Sequence, residues 1–200
     1  MQKYCVTINR QFGSLGRPIA RELSTILGVE YYDRDIVETT SQKLNLPVST
    51  ISDHEETSYT SNFLNMLFPL GDSSLDKQNK IFDTQRKIIS NLADKESCII
   101  VGRCSDFILK DYKDCLNVFI YAPREARFNN CVNILKMDPG EAVRMIAEVD
   151  KARENYYRHY AGYSFEDIEH KHIMIDSSLF GVKGTAEILY KIIRKKFKLS

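Results

Sequence analysis

Glycine and arginine are concentrated in one short turn near the start of the chain, at residues 10–17. Gly13 and Gly16 lie in this turn, and Arg10 and Arg17 stand at its two ends. Backbone amides in a glycine turn, together with the positive end of a helix, bind phosphate groups. Guanidinium groups add charge and paired hydrogen bonds to phosphate oxygens. The turn therefore predicts a phosphate-binding loop; the alternative is an ordinary glycine-containing connection between a strand and a helix.

The turn departs from the standard phosphate-loop pattern G-x-x-x-x-G-K-[ST]. With the second glycine placed on Gly16, Gln11 stands at the first glycine, Arg17 at the lysine and Pro18 at the hydroxyl residue. The planar guanidinium group of arginine can bind a phosphate through two hydrogen bonds. Proline has no group that binds Mg²⁺. The pattern thus favours phosphate binding by amides and guanidinium groups, without the usual metal ligand of the loop.

The segments that flank this turn have the periodicities of a strand and of a helix. Tyr4–Ile8 is a short apolar run that contains β-branched residues, which predicts a strand. From Arg17 onward the apolar residues recur at helical spacing, Pro18 fits the first turn, and Gly28 is placed to end the helix. The order strand, glycine turn and helix is the one that directs amides at a phosphate.

Strand-like and helical segments alternate along the remainder of the chain. The predicted strands are Val29–Tyr32, Cys98–Val101, Leu116–Tyr121 and His172–Ile175. The predicted helices are Arg34–Leu44, Leu75–Ala93, Phe107–Leu109, Pro123 to about Lys136, Glu141–Tyr160 and Thr185–Phe197. Short strands separated by helices predict an α/β fold with a parallel sheet covered on both faces.

Arginines follow several of these strands. Because the carboxyl ends of parallel strands meet at one edge of a sheet, we expect these side chains to converge there. The set consists of Arg10, Arg17, Arg34, Arg103, Arg124 and, one turn into the following helix, Arg127. Several cations around one cleft suit a polyanion such as a nucleotide. The alternative for any one of them is an ordinary ion pair with a neighbour such as Asp33, Asp106 or Glu125.

The predicted helix Glu141–Tyr160 carries a dense pattern of charges and tyrosines. Arg144, Arg153 and Arg158 are spaced along it, after an Asp-Pro-Gly turn that would allow the segment to hinge as a basic lid. The alternative is a charged face in solvent. The tyrosines at its end, and Tyr163 beyond it, are typical of a core cluster, with base stacking as the second interpretation.

Composition limits the function classes. The 200 residues, 43% of them apolar and 28% charged, indicate one globular domain, and the net charge of +1 predicts neither a nucleic-acid nor a membrane partner. No apolar run approaches the ~20 residues of a membrane span, and we expect no signal peptide. The five cysteines include no C-x-x-C pair, which predicts a reduced, cytoplasmic protein without a cysteine nucleophile. His170 and His172 are predicted to share a strand face at a spacing of two, but they lack a third ligand nearby, so no metal site is expected there.

Five blocks of the sequence, in order, resemble the cytidylate kinase-like family, the P-loop relatives of bacterial cytidylate kinase. The opening TINRQFGSLGRPIARELSTILGVEYYDRDIV is similar to the family's strand, RQFGS-x-GR turn, helix and Y-Y-D-[RK] segment. The later blocks CIIVGRCSDFIL, NVFIYAPREARF, DKARENYYRHYAG and IDSSLFGVKG are similar to its V-G-R-C, fourth-strand, D-x-x-R-x-x-Y-Y and closing segments.

The resemblance implies a P-loop NTPase fold of three α/β/α layers. It implies a five-stranded parallel sheet, a helical insertion that binds a nucleoside monophosphate (NMP), and a lid. One nucleoside-monophosphate-kinase-like domain would fill residues 1–200, with its core at 1–52, 95–135 and 165–200. The NMP-binding insertion would cover about residues 53–94, and the lid about residues 136–164.

The resemblance also implies phosphoryl transfer from ATP to CMP or a similar pyrimidine nucleotide. ATP would be bound at Gln11, Gly13, Ser14, Leu15, Gly16 and Arg17. The acceptor would be bound at Asp33, Arg34, Gln85 and Arg103, and the lid arginines would be Arg127, Arg144, Arg153 and Arg158. Arg17, Arg103 and Arg153 would act on the transferring phosphoryl group, since such a reaction needs charge on its oxygens and no covalent intermediate.

Magnesium is the point on which the sequence departs from the family. Pro18 replaces the loop hydroxyl, and Val101–Gly102 stands where cytidylate kinases carry the aspartate of D-G-R-D. The ion would then be carried by ATP, or be helped through water by Asp33, Asp106 or Asp176, or catalysis would be feeble. Two alternatives follow: a non-catalytic nucleotide-binding protein, and a kinase of another small acceptor.

Overall fold

The computed structural model describes residues 3–45 and 75–199. Within them five parallel strands form one sheet in the order β2-β3-β1-β4-β5. The strands are β1 (Cys5–Arg10), β2 (Glu30–Tyr32), β3 (Cys98–Val101), β4 (Cys115–Tyr121) and β5 (Ile173–Asp176). The predicted α/β class with a five-stranded parallel sheet is confirmed.

Helices connect these strands and cover the sheet. They are α1 (Gly16–Leu27), α2 (Arg34–Leu44), α3 (Leu75–Lys95), α4 (Ser105–Ile108), α5 (Arg124–Asn129), α6 (Pro139–Tyr160) and α7 (Gly181–Phe197). A π-helical turn, Asn130–Ile134, continues α5, and a 3₁₀ turn, Ile168–His170, precedes β5. None of the helices in the described ranges is long and apolar enough to cross a membrane.

Several predicted boundaries were wrong, and local hydrogen bonds explain two of them. Helix α6 begins at Pro139 because the Asp138 carboxylate caps it, accepting from Gly140 N and Glu141 N at 2.8 and 3.1 Å. Helix α7 begins at Gly181 rather than Thr185, because Ser177 O accepts from Gly181 N at 2.9 Å. The helix predicted from Pro123 to Lys136 is instead α5 followed by the π-helical turn.

The two faces of the sheet bury different apolar clusters. On one face, Val6 and Ile8 of β1 pack with Leu23 of α1 and with Leu189 of α7. On the other face, Ile100 of β3 packs with residues of α2 and α3, including Ile36. Alternate residues of a strand thus pack against the helices on opposite faces of the sheet, as a parallel sheet covered on both sides requires.

All five cysteines are buried and free. Cys5, Cys98 and Cys115 are neighbours across β1, β3 and β4, with 3.9 Å between the sulfurs of Cys5 and Cys98. Contacts with the Cys115 and Cys98 thiols, together with burial, raise the pKa of Cys5. Burial likewise raises the pKa of Cys104. The Cys5 and Cys104 thiols therefore stay protonated, and all five cysteines pack as small apolar side chains.

About half of the predicted NMP-binding insertion, residues 53–74, lies outside the described residues. Its final part, from residue 75, is helix α3, and the side chains of Phe82 and Gln85 on that helix are buried. The division into core, insertion and lid stays a prediction.

His172 gives a pH dependence of stability that we expect to measure. Its Nδ1 accepts a hydrogen bond from Asn117 N at 2.8 Å, which requires the unprotonated nitrogen. Desolvation lowers the pKa of His172 below its ordinary value of 6.5, with a smaller effect of Lys196. The unfolded chain takes up this proton more readily, so stability falls as the pH drops below about 6.5 and is level above it.

The measurement is urea denaturation between pH 5 and pH 8, read from the transition midpoint. His172→Gln should show a smaller loss at low pH than the wild type. His159→Gln, at an exposed position of α6, is the matched control and should retain the wild-type dependence. If the transition midpoint fell equally with pH in all three proteins, the result would contradict the role of His172.

Candidate phosphate-binding site

The turn between β1 and α1 has a backbone that only a few residue types adopt readily. Gly13 has φ +77°, and Leu15, directly before α1, has φ +59°. A Cβ on Gly13 would lie 2.8 Å from Arg127 O and 2.9 Å from Cys131 Sγ. Glycine is therefore required at position 13 both by the dihedral angle and by the close approach of α5.

The backbone carbonyls of residues 10–14 all accept hydrogen bonds from side chains. The donors are Arg153 Nη1 to Arg10 O (2.9 Å), Ser14 Oγ to Gln11 O (2.9 Å), Arg127 Nη1 to Phe12 O (3.3 Å), Asn130 Nδ2 to Gly13 O (2.9 Å) and Ser177 Oγ to Ser14 O (2.7 Å). Side chains from α5, α6, the π-helical turn and the loop after β5 thus hold the turn from its carbonyl side.

The amides of the same turn remain available to a ligand. Among the residues that the structure describes, the N–H groups of Gly13, Leu15 and Gly16 donate to no group. The first turn of α1 adds the partial positive charge of a helix N-terminus at the same place. Successive amides without internal partners, beside a helix start, form an anion-binding concavity.

Asp150 on α6 connects the turn of residues 10–16 to that helix. Its Oδ1 accepts from Phe12 N at 2.8 Å, and its other oxygen forms an ion pair with Arg127. Arg153 lies 3.6 Å from the same carboxylate. Arg127 and Arg153, which were predicted as lid residues, thus support the turn of residues 10–16, the candidate phosphate-binding turn, from outside.

Three arginines converge on Asp33, which follows β2. Arg17 of α1 forms an ion pair with its carboxylate, which is 2% exposed. The side chain of Arg10 runs past two glycines: a Cβ on Gly16 would lie 2.6 Å from Arg10 Cβ, and one on Gly102 would collide with Arg10 Nη1. Arg103 follows Gly102 directly and has φ +58°. We call Arg10, Arg17, Arg103 and Asp33 the arginine cluster.

The arginine cluster holds the Asp33 carboxylate in its charged form. Burial would raise the pKa of Asp33, but the guanidinium groups of Arg17, Arg10 and Arg103 outweigh it and hold that pKa below 3.8. Asp33 is therefore ionised at neutral pH. Its Oδ1 is buried and has no hydrogen-bond partner in the described part of the chain. Such an oxygen can accept a hydrogen bond from a ligand.

The other predicted site residues differ in burial and in their hydrogen-bond and ion-pair partners. Gln85 is buried on α3 and accepts from Tyr156 Oη at 3.4 Å. Arg144 pairs with Glu141 and Glu148 and is 41% exposed, and Arg158 pairs with Glu154 and is 65% exposed. These two arginines lie on the outer face of α6, in helical i,i+3 and i,i+4 pairs. The side chain of Arg34 is outside the described residues.

A buried polar network consists of Lys171, Asp106, Tyr157 and Asn9. Lys171 and Asp106 form an ion pair in which both side chains are 0% exposed. The Tyr157 hydroxyl lies 2.7 Å from Oδ1 of Asp106 and 2.7 Å from Oδ1 of Asn9, and the Asn9 amide nitrogen is buried with no partner among the described residues. A hydroxyl donates one hydrogen bond, so the Asp106 and Asn9 oxygens share the single Tyr157 donor.

This network joins the parts of the site. Asn9 precedes Arg10, Asp106 follows Arg103 by three residues, and Tyr157 belongs to the helix that braces the phosphate-binding turn. Lys171 also lies 5.3 Å from the ring centre of Tyr157. Burial, followed by the charge of Asp106, raises the pKa of Tyr157 and keeps its hydroxyl a donor.

The tyrosines at the end of α6 form a core cluster. Tyr160 stacks on Phe82 with 4.0 Å between ring centres, and Tyr157 and Tyr163 contact each other at 6.2 Å. Tyr163 stacks on His170 at 3.6 Å. His170 ends the 3₁₀ turn, and β5 begins at Ile173, so the prediction that His170 and His172 share a strand face was wrong.

Sequence reasoning missed Asp150, Asn130, Ser177 and Lys171. Each acts on a segment distant in the chain, and a single polar residue on a helix or loop carries no local signal of such a partner. The dense charge pattern of α6 was the one indication for Asp150, and it identified a charged face without its partners.

The side chains near the candidate site do not form a set of oxygen ligands for a magnesium ion held by the protein. P-loop kinases generally bring Mg²⁺ with ATP, and Mg²⁺ takes oxygen ligands. Pro18 has no hydroxyl, Asp33 is paired with Arg17, and Asp106 is paired with Lys171. Asp176 accepts from Ser178 N at 2.9 Å and from its hydroxyl at 2.6 Å. In the described ranges no group of three or more His, Cys, Asp or Glu side chains is arranged for a metal.

The fold is shared with a class of solved structures. The five-stranded parallel sheet and its flanking helices form an α/β fold whose structural neighbours are P-loop kinases. The chain belongs to the cytidylate kinase-like family, whose sequence model matches residues 5–179. No curated protein sequence matches the chain.

Solved structures share the fold over almost the whole chain. An uncharacterized protein from Eubacterium ventriosum ATCC 27560 is 21% identical, with a TM-score of 0.72 over 96% of this chain and 98% of that one. The shikimate kinase from Acinetobacter baumannii in complex with shikimate is 15% identical, with a TM-score of 0.53 over 100% and 97%. A gluconokinase from Sinorhizobium meliloti 1021 is 9% identical, with a TM-score of 0.51 over 100% and 99%.

Proposed function

We propose that the protein transfers a phosphoryl group from ATP to a nucleoside monophosphate, with CMP or dCMP as the expected acceptor. The observation that carries this proposal is the turn of residues 10–16, in which the amides of Gly13, Leu15 and Gly16 have no partner among the described residues, beside the arginine cluster. Two phosphate groups need two adjacent anion sites, and these features support such a pair. Family membership adds the expectation of a nucleotide acceptor.

In this proposal the two anion sites have separate tasks. The amides of Gly13, Leu15 and Gly16 hold the donor phosphates, and Arg17 contacts the transferring group. Arg103 and the free oxygen of Asp33 orient the acceptor, with Arg34 and Gln85 on the same side. The reaction requires in-line placement, charge on the equatorial oxygens and exclusion of water. Mg²⁺ would enter with ATP.

A coupled ADP-release assay with CMP, dCMP, UMP and AMP tests the proposal. Turnover with a pyrimidine monophosphate is the expected result. ATP binding by calorimetry without turnover of any acceptor would favour a non-catalytic nucleotide-binding protein, a reading that the missing metal ligands support. Turnover only with a small hydroxyl compound would select another acceptor class, to which Asp33 Oδ1 could bind a hydroxyl.

Two arginine variants should separate the two anion sites. We expect Arg17→Ala to raise the KM for ATP and Arg103→Ala to raise the KM for the acceptor, each by about tenfold or more, since a charged hydrogen bond contributes roughly 1.5–3 kcal/mol. Steady-state kinetics with each substrate varied in turn is the measurement. Arg21→Ala, at an exposed position of α1, is the control and should match the wild type. Unchanged kinetics in both site variants would contradict these assignments.

A further inference from the structure

We propose that Ser177, in the loop after β5, is a positioning residue of the turn of residues 10–16. Its hydroxyl holds the carbonyl of Ser14 and thereby directs the N–H group of Leu15 at a bound phosphate. The inference rests on the proposed function only in that this turn binds a phosphate group. Ser177 acts through the backbone of the turn, without a contact of its own to the ligand.

Ser177 has a fixed position in the fold. The residue is buried, and its hydroxyl lies 2.7 Å from Ser14 O and 3.2 Å from Tyr121 O. A hydroxyl donates one hydrogen bond, and we assign it to the shorter contact, with Ser14 O. The backbone of Ser177 is held on both sides, because its N–H donates to Tyr121 O at 3.0 Å and its carbonyl accepts from Gly181 N at 2.9 Å. Strand β4 and helix α7 thus fix the donor of the turn.

The carbonyl of Ser14 depends on a donor from outside helix α1. The residue four positions further along is Pro18, which has no N–H, so α1 supplies no donor at the usual helical spacing. The remainder of Ser14 is already held, since its hydroxyl and its N–H lie 2.9 and 3.4 Å from Gln11 O. The peptide group between Ser14 and Leu15 is therefore the part of the residue that the Ser177 hydroxyl fixes.

The direction of the Leu15 amide follows from the geometry of that peptide group. In a trans peptide the C=O and the following N–H point in opposite directions. With Ser14 O bound by Ser177, the N–H of Leu15 points away from the loop after β5. Like the N–H groups of Gly13 and Gly16, it donates to no group among the described residues, so it is available to an anion.

The backbone of Leu15 opposes this arrangement. Leu15 has φ +59°, a left-handed conformation that is unfavourable for a residue with a Cβ. Rotation of the preceding peptide group by about half a turn would carry this φ into the extended region and would direct the Ser14 carbonyl oxygen at the phosphate. The cost of the left-handed conformation is of the same order as the contribution of one hydrogen bond. Loss of the Ser177 hydroxyl is therefore enough to favour the rotated peptide.

Isothermal titration calorimetry of the full chain with sodium tripolyphosphate tests the inference. Ser177→Ala removes the hydroxyl, and we expect Kd to rise about fivefold or more, the ratio that corresponds to one neutral hydrogen bond. Ser178→Ala, at the exposed neighbouring position, is the matched control and should keep the wild-type Kd. An unchanged Kd in Ser177→Ala, or no binding of tripolyphosphate by the wild type, would overturn the proposal.

A cycle of variants separates positioning from a general loss of structure. Leu15→Gly removes the Cβ that makes the left-handed conformation unfavourable, so the peptide group gains less from rotating. In this background Ser177→Ala should raise Kd by only about twofold, and the difference between the two backgrounds measures the coupling. An equal rise in both backgrounds would mean that Ser177 only supports packing, and would contradict the proposal.

NMR of the backbone amides locates the effect on one peptide group. Tripolyphosphate should shift the amide resonances of Gly13 and Leu15 in the wild type. In Ser177→Ala the Leu15 resonance should respond much less, whereas that of Gly13 should still shift, because the preceding carbonyl, Phe12 O, accepts from Arg127 at 3.3 Å. An equal response of Leu15 in the two proteins would show that Ser177 does not set the direction of this amide.

The outcome is distinguishable from that of the kinase assay. Tripolyphosphate binding that requires Ser177, with no turnover of any acceptor, supports the present inference and contradicts the proposed function. Turnover of a nucleotide together with an unchanged Kd in Ser177→Ala supports the proposed function and contradicts the present inference.

Discussion

Replacement of Lys171 by methionine is expected to lower the free energy of unfolding by about 3–5 kcal/mol. The variant leaves the Asp106 carboxylate fully buried without its cation, and the remaining donor is the Tyr157 hydroxyl. Removing one member of a buried pair costs far more than removing both, because the orphaned charge stays desolvated. Urea denaturation at neutral pH measures the effect.

Two further variants make this result specific. The double variant Lys171→Met/Asp106→Asn should recover most of the loss, since it removes the orphaned charge and keeps a partner for Tyr157. Lys113→Met, at an exposed position before β4, should stay within about 0.5 kcal/mol of the wild type. A single variant as stable as the wild type would show that the ion pair is not needed, and failure of the double variant to recover would assign the loss to packing.

The second large effect is expected at Gly13. Gly13→Ala should cost about 3 kcal/mol or more and abolish tripolyphosphate binding, because two separate penalties combine. The residue has φ +77°, and the new methyl group would lie 2.8 Å from the carbonyl oxygen of Arg127 and 2.9 Å from the sulfur of Cys131. Denaturation and calorimetry on the same preparation provide both measurements.

Gly28 is the matched control for this prediction. It ends α1 with φ +65°, and a Cβ there would have no heavy atom within 4 Å. Gly28→Ala therefore carries the dihedral cost alone, about 1 kcal/mol, and should leave anion binding unchanged. Equal losses at the two glycines would mean that contact with α5 does not constrain the turn.

The parts of the fold that follow from local patterns were predictable. The run Cys98–Val101 is apolar throughout because both faces of β3 are covered, and Gly28 ends α1 as its sequence position indicated. The meeting of Arg10, Arg17 and Arg103 follows from a topological rule, since each comes after or near the end of a parallel strand. The correctly predicted parallel sheet was therefore enough to predict that these three arginines lie close together.

What could not be predicted depends on distances between segments far apart in the chain. The spacing of charges on α6 gives their angular position but not the element that each face meets, so Arg153 and Arg158 were grouped although one supports Arg10 O and the other lies in solvent. The ion pair of Lys171 with Asp106 joins positions 65 residues apart. Neither residue carries a pattern that distinguishes it from a surface charge.

The row of thiols across β3, β1 and β4 has a practical consequence for experiments on this protein. Since all five cysteines are buried, an alkylating reagent can reach them only when the molecule opens. The central strands contribute three of them, so their labelling reports loss of the sheet as a whole, whereas Cys131 reports separation of the π-helical turn from the phosphate-binding turn. Mass spectrometry of labelled peptides can therefore compare the opening of the site with the opening of the core, without any introduced probe.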